Sequence, residues 1–342
     1  MRHRERFRVR RALHSVTMGI VAAFVCLAAS PTAIAQPIHL RYGQAYSAQA
    51  SIFSLPILLA ERQGYFVREG LDFHTVPVPG GGTKLVDALH DGTADVSHVA
   101  TAFLIQAALK GSDAVALVTE FNNPIYSLIV KPEIKSYSDL KGKLIGMAAE
   151  TGSISISIRR LLAMNGLQRG DFQTRFVDGT PDRLACLNRG DCDAVPLGQP
   201  HDFMALRRGH RLLGRSIEAV PRFIYTVTAA RRSWAASNKE AVMRYVRALA
   251  ASFAFIRDPA NREAVVRTIM DTTGFPEANA RATLELYFEP ERQVLPMRGE
   301  IDMKGVEAVI GVLGEGGVLK APLPAAERFV DLQYLRAAAL QD

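Results

Sequence analysis

Six short segments of this 342-residue chain concentrate Ser, Thr, Gly, Gln and Asn, and they hold almost no Lys or Arg. Hydroxyl, amide and main-chain N–H groups of this kind can hold a small anion or a polar group without a side-chain charge. The segments are "GQAYSAQAS" (43–51), "PGGGTK" (79–84), "HVAT" (98–101), "FNNP" (121–124), "AETGSIS" (149–155) and "LGQPH" (197–201). We expect one ligand site, with contacts from Tyr46, Ser47, Gln49, Gly81, Gly82, Thr83, His98, Thr101, Asn123, Thr151, Gly152, Ser153, Ser155 and Gln199.

The same segments do not form a pattern typical of an enzyme. "PGGGTK" is not a phosphate-binding P-loop, because Thr83 precedes Lys84 where that motif has a Gly. No Gly-x-Ser-x-Gly elbow occurs, and His98 stands alone at a predicted strand end. Simpler structural roles remain open for the glycines, as a plain turn, and for Ser153 and Ser155, as helix caps. The sequence therefore predicts binding of a small molecule without catalysis, cofactor or metal.

Residues 1–35 have the features of a secretory signal peptide. Six Arg precede the apolar run "VTMGIVAAFVCLAA", and "AIA" ends at Ala35 as a small-residue cleavage site. A membrane anchor is the alternative, but the apolar run is short for a spanning helix. We therefore expect cleavage after Ala35 and a periplasmic location, reached by either the Sec or the twin-arginine route.

Removal of this leader changes the charge of the chain. The formal net charge falls from +7 to about +2, because residues 1–35 hold six Arg and one Glu. No Lys/Arg-rich run remains, which argues against nucleic acid as a partner. The remaining residues, about 307, suffice for two domains of ordinary size, and no later apolar run is long enough to span a membrane.

The predicted mature chain has two cysteines, Cys186 and Cys192. In an exported protein they can form a local disulfide across the turn at 188–191, or they can remain as two half-buried thiols. Sequence spacing leaves both possibilities open. A cysteine-based metal site is not expected, because no His is near enough in sequence to complete it.

Short β-rich runs alternate with helical runs through residues 38–230, which is typical of a parallel sheet with crossover helices. The scheme occurs twice, and "ALHDGTADV" in the first half and "CLNRGDCDAV" in the second share the spacing Leu-x-x-Gly-x-x-Asp. In each, the Gly is expected to end a helix and the Asp to precede a strand, although a chance recurrence of a common helix-to-strand join is the alternative. Residues 238–342 are helix-rich and are expected to pack on the first half.

One segment gives conflicting signals. "GSISISI" (152–158) alternates polar and β-branched residues with the period of a strand. The strands predicted before and after it are parallel, and a parallel pair requires a crossover connection. We therefore expect a helix through "RRLLAMNG", ending near Gly166.

Four motifs in order resemble a known family. "AERQGYFVREGLDF", "LVDALHDGTADV", "YSDLKGKLIGMAAETGSISISIRRLLAMNGL" and "VDGTPDRLACLNRGDCDAV" are similar to successive motifs of the nitrate/sulfonate/taurine and thiamine-precursor group of periplasmic solute-binding proteins. The resemblance runs through most of residues 38–230, and "FVDLQYL" near the end agrees with it.

The resemblance implies an α/β, two-lobed type II periplasmic binding protein fold with a hinge and a ligand cleft. Lobe 1 would comprise residues 36–124 and 229–342, including the helical C-terminal part, and lobe 2 residues 125–228. The hinge is expected near residues 124–132 and 222–229, where the chain crosses between lobes. The partners implied are a small-molecule ligand and the permease of an ABC importer in the inner membrane, with the binding protein itself a monomer.

The ligand class stays open among a sulfonate, another small organic anion and a pyrimidine-like heterocycle. Gln199 stands where alkanesulfonate-binding relatives tend to have a Trp, which argues against a sulfonate. The alternative function is an enzyme on the same fold, of the thiamine pyrimidine precursor synthase type. The cysteine cluster that the yeast-type synthases carry for iron is absent from this sequence, which argues against that alternative.

The leader prediction can be tested by the intact mass of protein recovered from the periplasm of an expressing Gram-negative host. We expect a mature chain that begins at Gln36. Ala35→Tyr places a bulky side chain at the cleavage position and should keep the leader attached. Exported wild-type protein that still carries residues 1–35 would contradict the prediction.

Overall fold

Strands from two parts of the chain build two sheets, and the chain crosses twice between them. The computed structural model describes residues 36–45, 51–123, 125–288 and 293–341. Within these residues the strands form two five-stranded sheets. The strands are β1 (Ile38–Ala45), β2 (Leu71–Val78), β3 (Val96–Ala100), β4 (Ala114–Phe121), β5 (Ser127–Val130), β6 (Leu144–Met147), β7 (Gln173–Phe176), β8 (Ala194–Leu197), β9 (Arg211–Arg215) and β10 (Thr226–Arg231).

Helices connect and cover these strands. Short 3₁₀ segments occur at Ile52–Ser54, Tyr137–Leu140, Pro259–Asn261 and Ala326–Phe329. The α-helices of the described residues are α1 (Leu55–Arg62), α2 (Tyr65–Arg68), α3 (Lys84–His90), α4 (Thr101–Leu109), α5 (Ser153–Met164), α6 (Thr180–Arg189), α7 (His201–Arg207), α8 (Ser216–Ala219), α9 (Arg232–Ser237), α10 (Lys239–Arg257), α11 (Arg262–Thr273), α12 (Glu277–Phe288), α13 (Met303–Glu315) and α14 (Gln333–Ala337).

The first sheet has the order β2-β1-β3-β10-β4 and is mixed rather than wholly parallel. β1 is parallel to β2 and β3, whereas β10 runs antiparallel to β3 and β4. The prediction of a parallel sheet is therefore wrong for this strand. Thr226 begins β10 beside the last residues of β3 and β4, Ala100 and Phe121. The chain returns from the other sheet at the edge where β3 and β4 end. β10 therefore starts beside their last residues and runs in the opposite direction to them.

The second sheet repeats this arrangement with the order β7-β6-β8-β5-β9. β6 is parallel to β7 and β8, and β5 is antiparallel to β8 and β9. Ser127 begins β5 beside Leu197 and Arg215, the last residues of those two strands. Each sheet therefore contains one reversed strand, β10 in the first and β5 in the second. Each of these strands directly follows a crossing of the chain between the sheets.

The two crossing segments are bonded to one another. The Tyr225 N–H donates to the carbonyls of Phe121 and Asn122, at 3.0 and 2.7 Å. The Ser216 N–H donates to the Tyr126 carbonyl at 2.9 Å, and the Tyr126 N–H donates to the Ser216 hydroxyl at 3.0 Å. The phenol oxygens of Tyr126 and Tyr225 lie 3.1 Å apart. The polypeptide thus passes between the sheets at one junction.

The repeated Leu-x-x-Gly-x-x-Asp motif has the same structural role in both halves. Its Asp exchanges two hydrogen bonds with the main chain of a neighbouring strand. The Arg41 N–H donates to Asp95 Oδ2 at 2.9 Å, and the Asp95 N–H donates to the Arg41 carbonyl at 2.9 Å. Asp193 pairs with Leu144 in the same way, at 2.9 and 2.8 Å. The motif aligns β3 on β1 and β8 on β6, so the recurrence reflects a shared requirement of both sheets.

A cation completes each of these contacts. The Arg41 guanidinium donates to both carboxylate oxygens of Asp95, and Lys131 Nζ donates to Asp193 Oδ1 at 2.7 Å. Gly92 and Gly190, the glycines of the two motifs, have φ of +77° and +80°, a conformation that disfavours other residues. The spacing between Gly and Asp is therefore set by the turn that leads from helix to strand.

Cys186 and Cys192 form a disulfide, with their Cα atoms 5.4 Å apart. This decides between the two possibilities that the sequence left open. The bond joins α6 to the start of β8 across the turn that contains Gly190. It lies on one face of the second sheet, where Leu184, Leu187 and Val195 pack.

The segment "GSISISI" is helical, as predicted from its position between β6 and β7. It forms α5, whose Ile158, Leu161 and Leu162 are buried against Leu128 and Ile145 of the second sheet. The neighbouring residue of β5, Ile129, packs on the opposite face of the sheet. Successive β5 residues thus serve two cores, because side chains alternate along a strand.

The C-terminal helices pack on the first half, as predicted. Their apolar residues share one core with β1, β3 and β4. The Ser252 hydroxyl of α10 donates to the Pro56 carbonyl at 2.6 Å, and Arg247 pairs with Glu69 at 2.8 Å. α13 also reaches the second half through the ion pair of Arg160 with Glu315, at 3.1 Å. Among the described residues, no helix combines the length and the apolar character needed to cross a membrane.

Asp193→Ala should lower the free energy of unfolding by about 1–3 kcal/mol, because it leaves the partly buried Leu144 N–H without its acceptor. Asp191→Ala is the matched control in the same turn. It removes a surface pair with Arg189, at 2.8 Å, and should cost less than about 1 kcal/mol. Urea unfolding followed by circular dichroism measures both. Equal losses in the two variants would show that the Asp193 contact has no special role.

Candidate functional site

A cavity of about 250 Å³ lies at the junction of the two halves, where residues from both contribute to its wall. The first half supplies Phe53 and His98, and the crossing segments supply Tyr126 and Tyr225. The polar and ionisable side chains of the lining include His98, Asp178, Thr180, Arg183, Gln199 and His201.

Two of the predicted ligand contacts, His98 and Gln199, line this cavity. Three others, Tyr46, Ser47 and Gln49, lie outside the described residues. The remaining predicted contacts are not among the described residues of its wall. They are Gly81, Gly82, Thr83, Thr101, Asn123, Thr151, Gly152, Ser153 and Ser155.

Several of these residues make contacts that explain their positions in the fold. Gly82 and Gly152 both lie against the ring of Phe103 on α4, where a Cβ on either would come within 3.3 Å of Cζ. The loops 79–84 and 149–155 therefore meet at one aromatic ring. The Thr101 N–H donates to the Tyr225 carbonyl at 2.9 Å, at the start of α4. Gly81 and Thr83 belong to the turn that begins α3, where Thr83 holds the N-cap position.

Ser153 and Ser155 are not the N-cap of α5, which is Gly152. The Ser155 hydroxyl accepts from the Ala149 N–H at 3.2 Å and so stabilises the loop that precedes the helix. Ser153 is buried, and its Oγ has no hydrogen-bond partner among the described residues. Asn123 is buried at the junction and lines a separate cavity of about 200 Å³.

A buried carboxylate sets the orientation of His98. Glu120 is fully buried and accepts from the Tyr42 hydroxyl at 3.0 and 3.1 Å and from Thr228 Oγ1 at 2.5 Å. His98 Nδ1 is in direct contact with Glu120 Oε2. This contact occupies Nδ1 and fixes the orientation of the imidazole, so Nε2 is the ring nitrogen left for another partner. Burial, and next the charge of Glu120, raise the pKa of Tyr42 well above its usual value.

Arg183 places a cation in the wall of the cavity. Its side chain is buried, with 2% of its surface exposed, and its donors reach neutral acceptors. Nε donates to the Pro196 carbonyl at 2.8 Å, Nη1 to the Val177 carbonyl at 3.1 Å, and Nη2 to Thr180 Oγ1 at 3.0 Å. A guanidinium has five N–H groups, so these bonds leave two for other partners.

The charge of Arg183 has no carboxylate hydrogen-bonded to it among the described residues. Burial is the largest effect on its pKa and lowers it, while the electrostatic influence of Tyr126 and Tyr225, and next of Asp178 and Asp182, opposes that shift. Arginine nevertheless stays protonated in proteins. A buried cation that is solvated only by neutral groups carries a free-energy cost, which a bound anion would offset. The sequence expectation, a site without a side-chain charge, did not include Arg183, which lines this cavity.

Gln199 offers an unsatisfied acceptor at the cavity. Its Nε2 donates to Asp202 Oδ2 at 2.9 Å, which fixes the amide, and its Oε1 has no partner among the described residues. Asp202 also accepts from Ser127 Oγ at 2.8 Å. Burial raises the pKa of Asp202, and the hydrogen bonds from Ser127 and Gln199 oppose that shift. A ligand with an N–H or O–H group would satisfy the Gln199 oxygen.

Aromatic side chains form the apolar part of the wall. Phe53 stacks on Tyr126 at a centroid distance of 6.0 Å and meets Tyr225 edge-on at 5.3 Å. Burial raises the pKa of both tyrosines, which therefore remain neutral phenols. On the other side His201 meets Phe275 edge-on at 5.2 Å. These rings can pack against an alkyl chain or a flat heterocycle.

A larger cavity, of about 540 Å³, lies between α5 and the end of α13 and has Thr151 in its wall. Its charged groups are already engaged. Arg160 pairs with Glu315 at 3.1 Å, Arg169 with Glu150 at 3.6 Å, and Arg159 donates to the Glu150 carbonyl at 2.5 Å. The smaller cavity is the better candidate site, because its buried polar groups have bonding capacity left.

Sequence reasoning missed Arg183 and Glu120 because it considered only the loops. Arg183 lies in the first turn of α6, and Glu120 lies in β4, where every residue is buried. A lone Glu within the apolar run "AVALVTEF" was the available signal, since a charge inside a buried strand requires bonded partners. The sequence contains no comparable signal for Arg183.

Comparison with solved structures defines the class of fold. The chain is similar to the alkanesulfonate-binding protein SsuA from Xanthomonas axonopodis pv. citri bound to MOPS, with a TM-score of 0.66, 20% identity, and coverage of 86% of this chain and 98% of that one. It is also similar to the periplasmic nitrate-binding protein NrtA from Synechocystis PCC 6803, with a TM-score of 0.72, 15% identity and 89% of each chain covered. The fold is that of the periplasmic binding proteins.

The chain belongs to the NMT1/THI5-like family, whose profile matches residues 52–262. Among curated proteins it is 23% identical over 228 residues to 4-amino-5-hydroxymethyl-2-methylpyrimidine phosphate synthase of Schizosaccharomyces pombe. That match covers 62% of this chain and 64% of the synthase, which is less than two thirds of the relative's length. The family resemblance of the four sequence motifs is thereby confirmed.

The ionisation of His201 gives a pH test of the cavity wall. Burial, and next the charge of Arg183, lower the pKa of His201 to about 4. As the pH falls from about 6.5 toward 4, His201 becomes protonated in the unfolded chain but stays neutral in the folded chain. Protonation therefore favours the unfolded chain, and the folded state loses stability. His201→Gln removes this loss, and by pH 5 its stability relative to the wild type should rise by about 1–2 kcal/mol.

Urea unfolding at pH 7.5 and pH 5 measures the effect, and His90→Gln, at an exposed position on α3, is the control. The same pH slope in His201→Gln and in the wild type would mean that His201 is not shielded from solvent in the folded protein.

Proposed function

We propose that this protein is the solute-binding component of an ABC importer and that it binds a small organic anion in the cavity of about 250 Å³. The observation that carries the proposal is Arg183, a buried cation in the cavity wall whose described hydrogen-bond acceptors are all neutral. Two proteins of similar structure, an alkanesulfonate-binding and a nitrate-binding protein, support an anionic ligand.

The cavity wall suggests what kind of anion it takes. A sulfonate or carboxylate can accept the two remaining N–H groups of Arg183. A donor group on the ligand would meet Gln199 Oε1, and an apolar body would lie against Phe53 and Tyr126. The volume lies below the roughly 300–1,000 Å³ of sites for drug-sized molecules, so the ligand is small. An anion that also has an N–H or O–H group fits these features best.

Export and delivery complete the proposal. The leader at 1–35 would direct the protein to the periplasm, where it works as a monomer and passes its ligand to the inner-membrane permease. Lobe 1 (36–124 and 229–342) and lobe 2 (125–228) would close on the ligand about the crossing segments. The bonds that join those segments at Tyr126, Ser216 and Tyr225 support a hinge there.

Binding without turnover distinguishes this function from that of the synthase to which the chain is distantly similar. His98 is held by Glu120, an arrangement that orients an imidazole in enzymes and in binding sites alike. We propose that here it serves to hydrogen-bond the ligand. A ligand recovered unchanged after prolonged incubation with the protein is the expected outcome.

The test is isothermal titration with MOPS, taurine, nitrate and a neutral aminopyrimidine, chosen after a thermal-shift screen of the same compounds. We expect at least one of the anions to bind, and Arg183→Met to weaken that binding by about 100-fold or more, since a buried charge contact is worth about 2–5 kcal/mol. Arg183→Lys keeps the charge but loses the planar guanidinium. Its affinity for the anion should lie between those of the wild type and Arg183→Met.

Arg189→Met, at the exposed end of the same helix, is the matched control and should bind like the wild type. Melting curves establish that each variant is folded. Preferential binding of the neutral pyrimidine, or full anion affinity in a folded Arg183→Met, would contradict the assignment of Arg183.

A further inference from the structure

Three metal-ligating side chains lie together at the exposed edge of the first sheet. His39 is the second residue of β1, and Asp72 and His74 belong to β2. Each side chain is about half exposed, at 57%, 51% and 54%. None of the three lines the ligand cavity, so the cluster is independent of the proposed solute site.

The strand register brings the three residues together. β1 and β2 are parallel, and His39 lies directly opposite Asp72. Asp72 and His74 are two residues apart and therefore project from the same face of β2, while Leu71 and Phe73 turn toward the core. β2 is the outer strand of its sheet, so nothing in the sheet order lies beyond it. Sequence reasoning missed the group because His39 and Asp72 are 33 positions apart in the chain.

Asp72 lies between the two imidazoles. His39 Nδ1 is 2.9 Å from Asp72 Oδ2, and His74 Nε2 is 2.8 Å from Asp72 Oδ1. The two rings are 4.9 Å apart at an angle of 41°, and one ligand atom from each residue falls within 4.8 Å of the others. Ligand atoms around a tetrahedral Zn²⁺, at bonds of about 2.0–2.1 Å, are separated by about 3.3 Å. Small rotations of these exposed side chains would bring the ligand atoms from within 4.8 Å to the separation that Zn²⁺ requires.

The surrounding charges do not oppose a cation at this place. Arg41 lies opposite His74 in the register, but its side chain is bonded to other residues. Its guanidinium donates to both oxygens of Asp95 and to the Gly92 carbonyl, at 2.5–3.0 Å. The carboxylate of Asp72 therefore remains the nearest charge to the two imidazoles among the contacts described.

We propose that His39, Asp72 and His74 bind one divalent transition-metal ion of the zinc class, with solvent completing its coordination. Two imidazole nitrogens and one carboxylate oxygen form a donor set that suits Zn²⁺, Ni²⁺ or Cu²⁺, whereas Mg²⁺ and Ca²⁺ prefer all-oxygen sites. The ion takes the place of the hydrogen bonds that now join each ring to the carboxylate, and each neutral ring then carries its proton on the nitrogen that does not bind the ion. It would tie the outer strand of the first sheet to its neighbour.

The test is titration of the tag-free full chain with ZnCl₂ by calorimetry, with CoCl₂ titration followed by visible absorption as a second measurement. We expect saturable binding of one equivalent of Zn²⁺ and a tetrahedral Co²⁺ spectrum, with no binding of Mg²⁺. His39→Gln and His74→Gln should each weaken Zn²⁺ binding at least about tenfold, and Asp72→Asn should weaken it as well.

His90→Gln is the matched control, because His90 is also exposed and also hydrogen-bonded to a side chain, Ser112 at 2.7 Å. It should leave Zn²⁺ binding unchanged. Circular dichroism and melting confirm that the variants fold, which is expected for exposed positions. Absence of stoichiometric Zn²⁺ binding in the wild type, or equal binding by a folded double variant His39→Gln/His74→Gln, overturns the proposal.

Discussion

One buried carboxylate ties together the strands on which the candidate site depends. Glu120 of β4 accepts hydrogen bonds from Tyr42 of β1 and Thr228 of β10 and contacts His98 of β3. These four strands are consecutive neighbours in the first sheet. Burying an ionised carboxylate is costly unless polar partners surround it, and here each of the other three strands supplies one. The arrangement of the sheet and the orientation of the cavity-lining imidazole thus have a common cause.

The second constraint is the route of the chain between the sheets. Each crossing delivers a strand that must run against its neighbours, which gives both sheets the same order and the same two reversed pairings. The Leu-x-x-Gly-x-x-Asp motif then aligns the corresponding parallel strands in each half, through Asp95 and Asp193. The repetition in the sequence is therefore a consequence of building one sheet plan twice.

Local patterns in the sequence were sufficient to predict most elements. The alternation of β-rich and helical runs predicted through residues 38–230 is present, and "GSISISI" forms a helix because its place between parallel strands outweighs its own alternation. The reversed direction of β10 was not predictable from local pattern, since it depends on where the chain re-enters the sheet. The same limit applies to the site. His98 in β3 and Gln199 after β8 were proposed from the sequence and line the cavity. Arg183 depends on burial that its local sequence does not indicate, and for Glu120 the only signal was a lone charge in an apolar strand.

The electrostatics of the cavity wall favour an anion for more than one reason. Arg183 lies in the first turn of α6, at the positive end of the helix macrodipole. The charge of the guanidinium and the helix dipole therefore both attract an anion. Asp182 is in the same turn but is exposed to solvent, which weakens its compensation. His201 remains neutral near Arg183, as its pKa of about 4 indicates, and so avoids adding a further charge. A protein that only needed stability would pair or replace Arg183, because a buried unpaired cation is a net cost. The anionic ligand proposed above would supply the missing counter-charge.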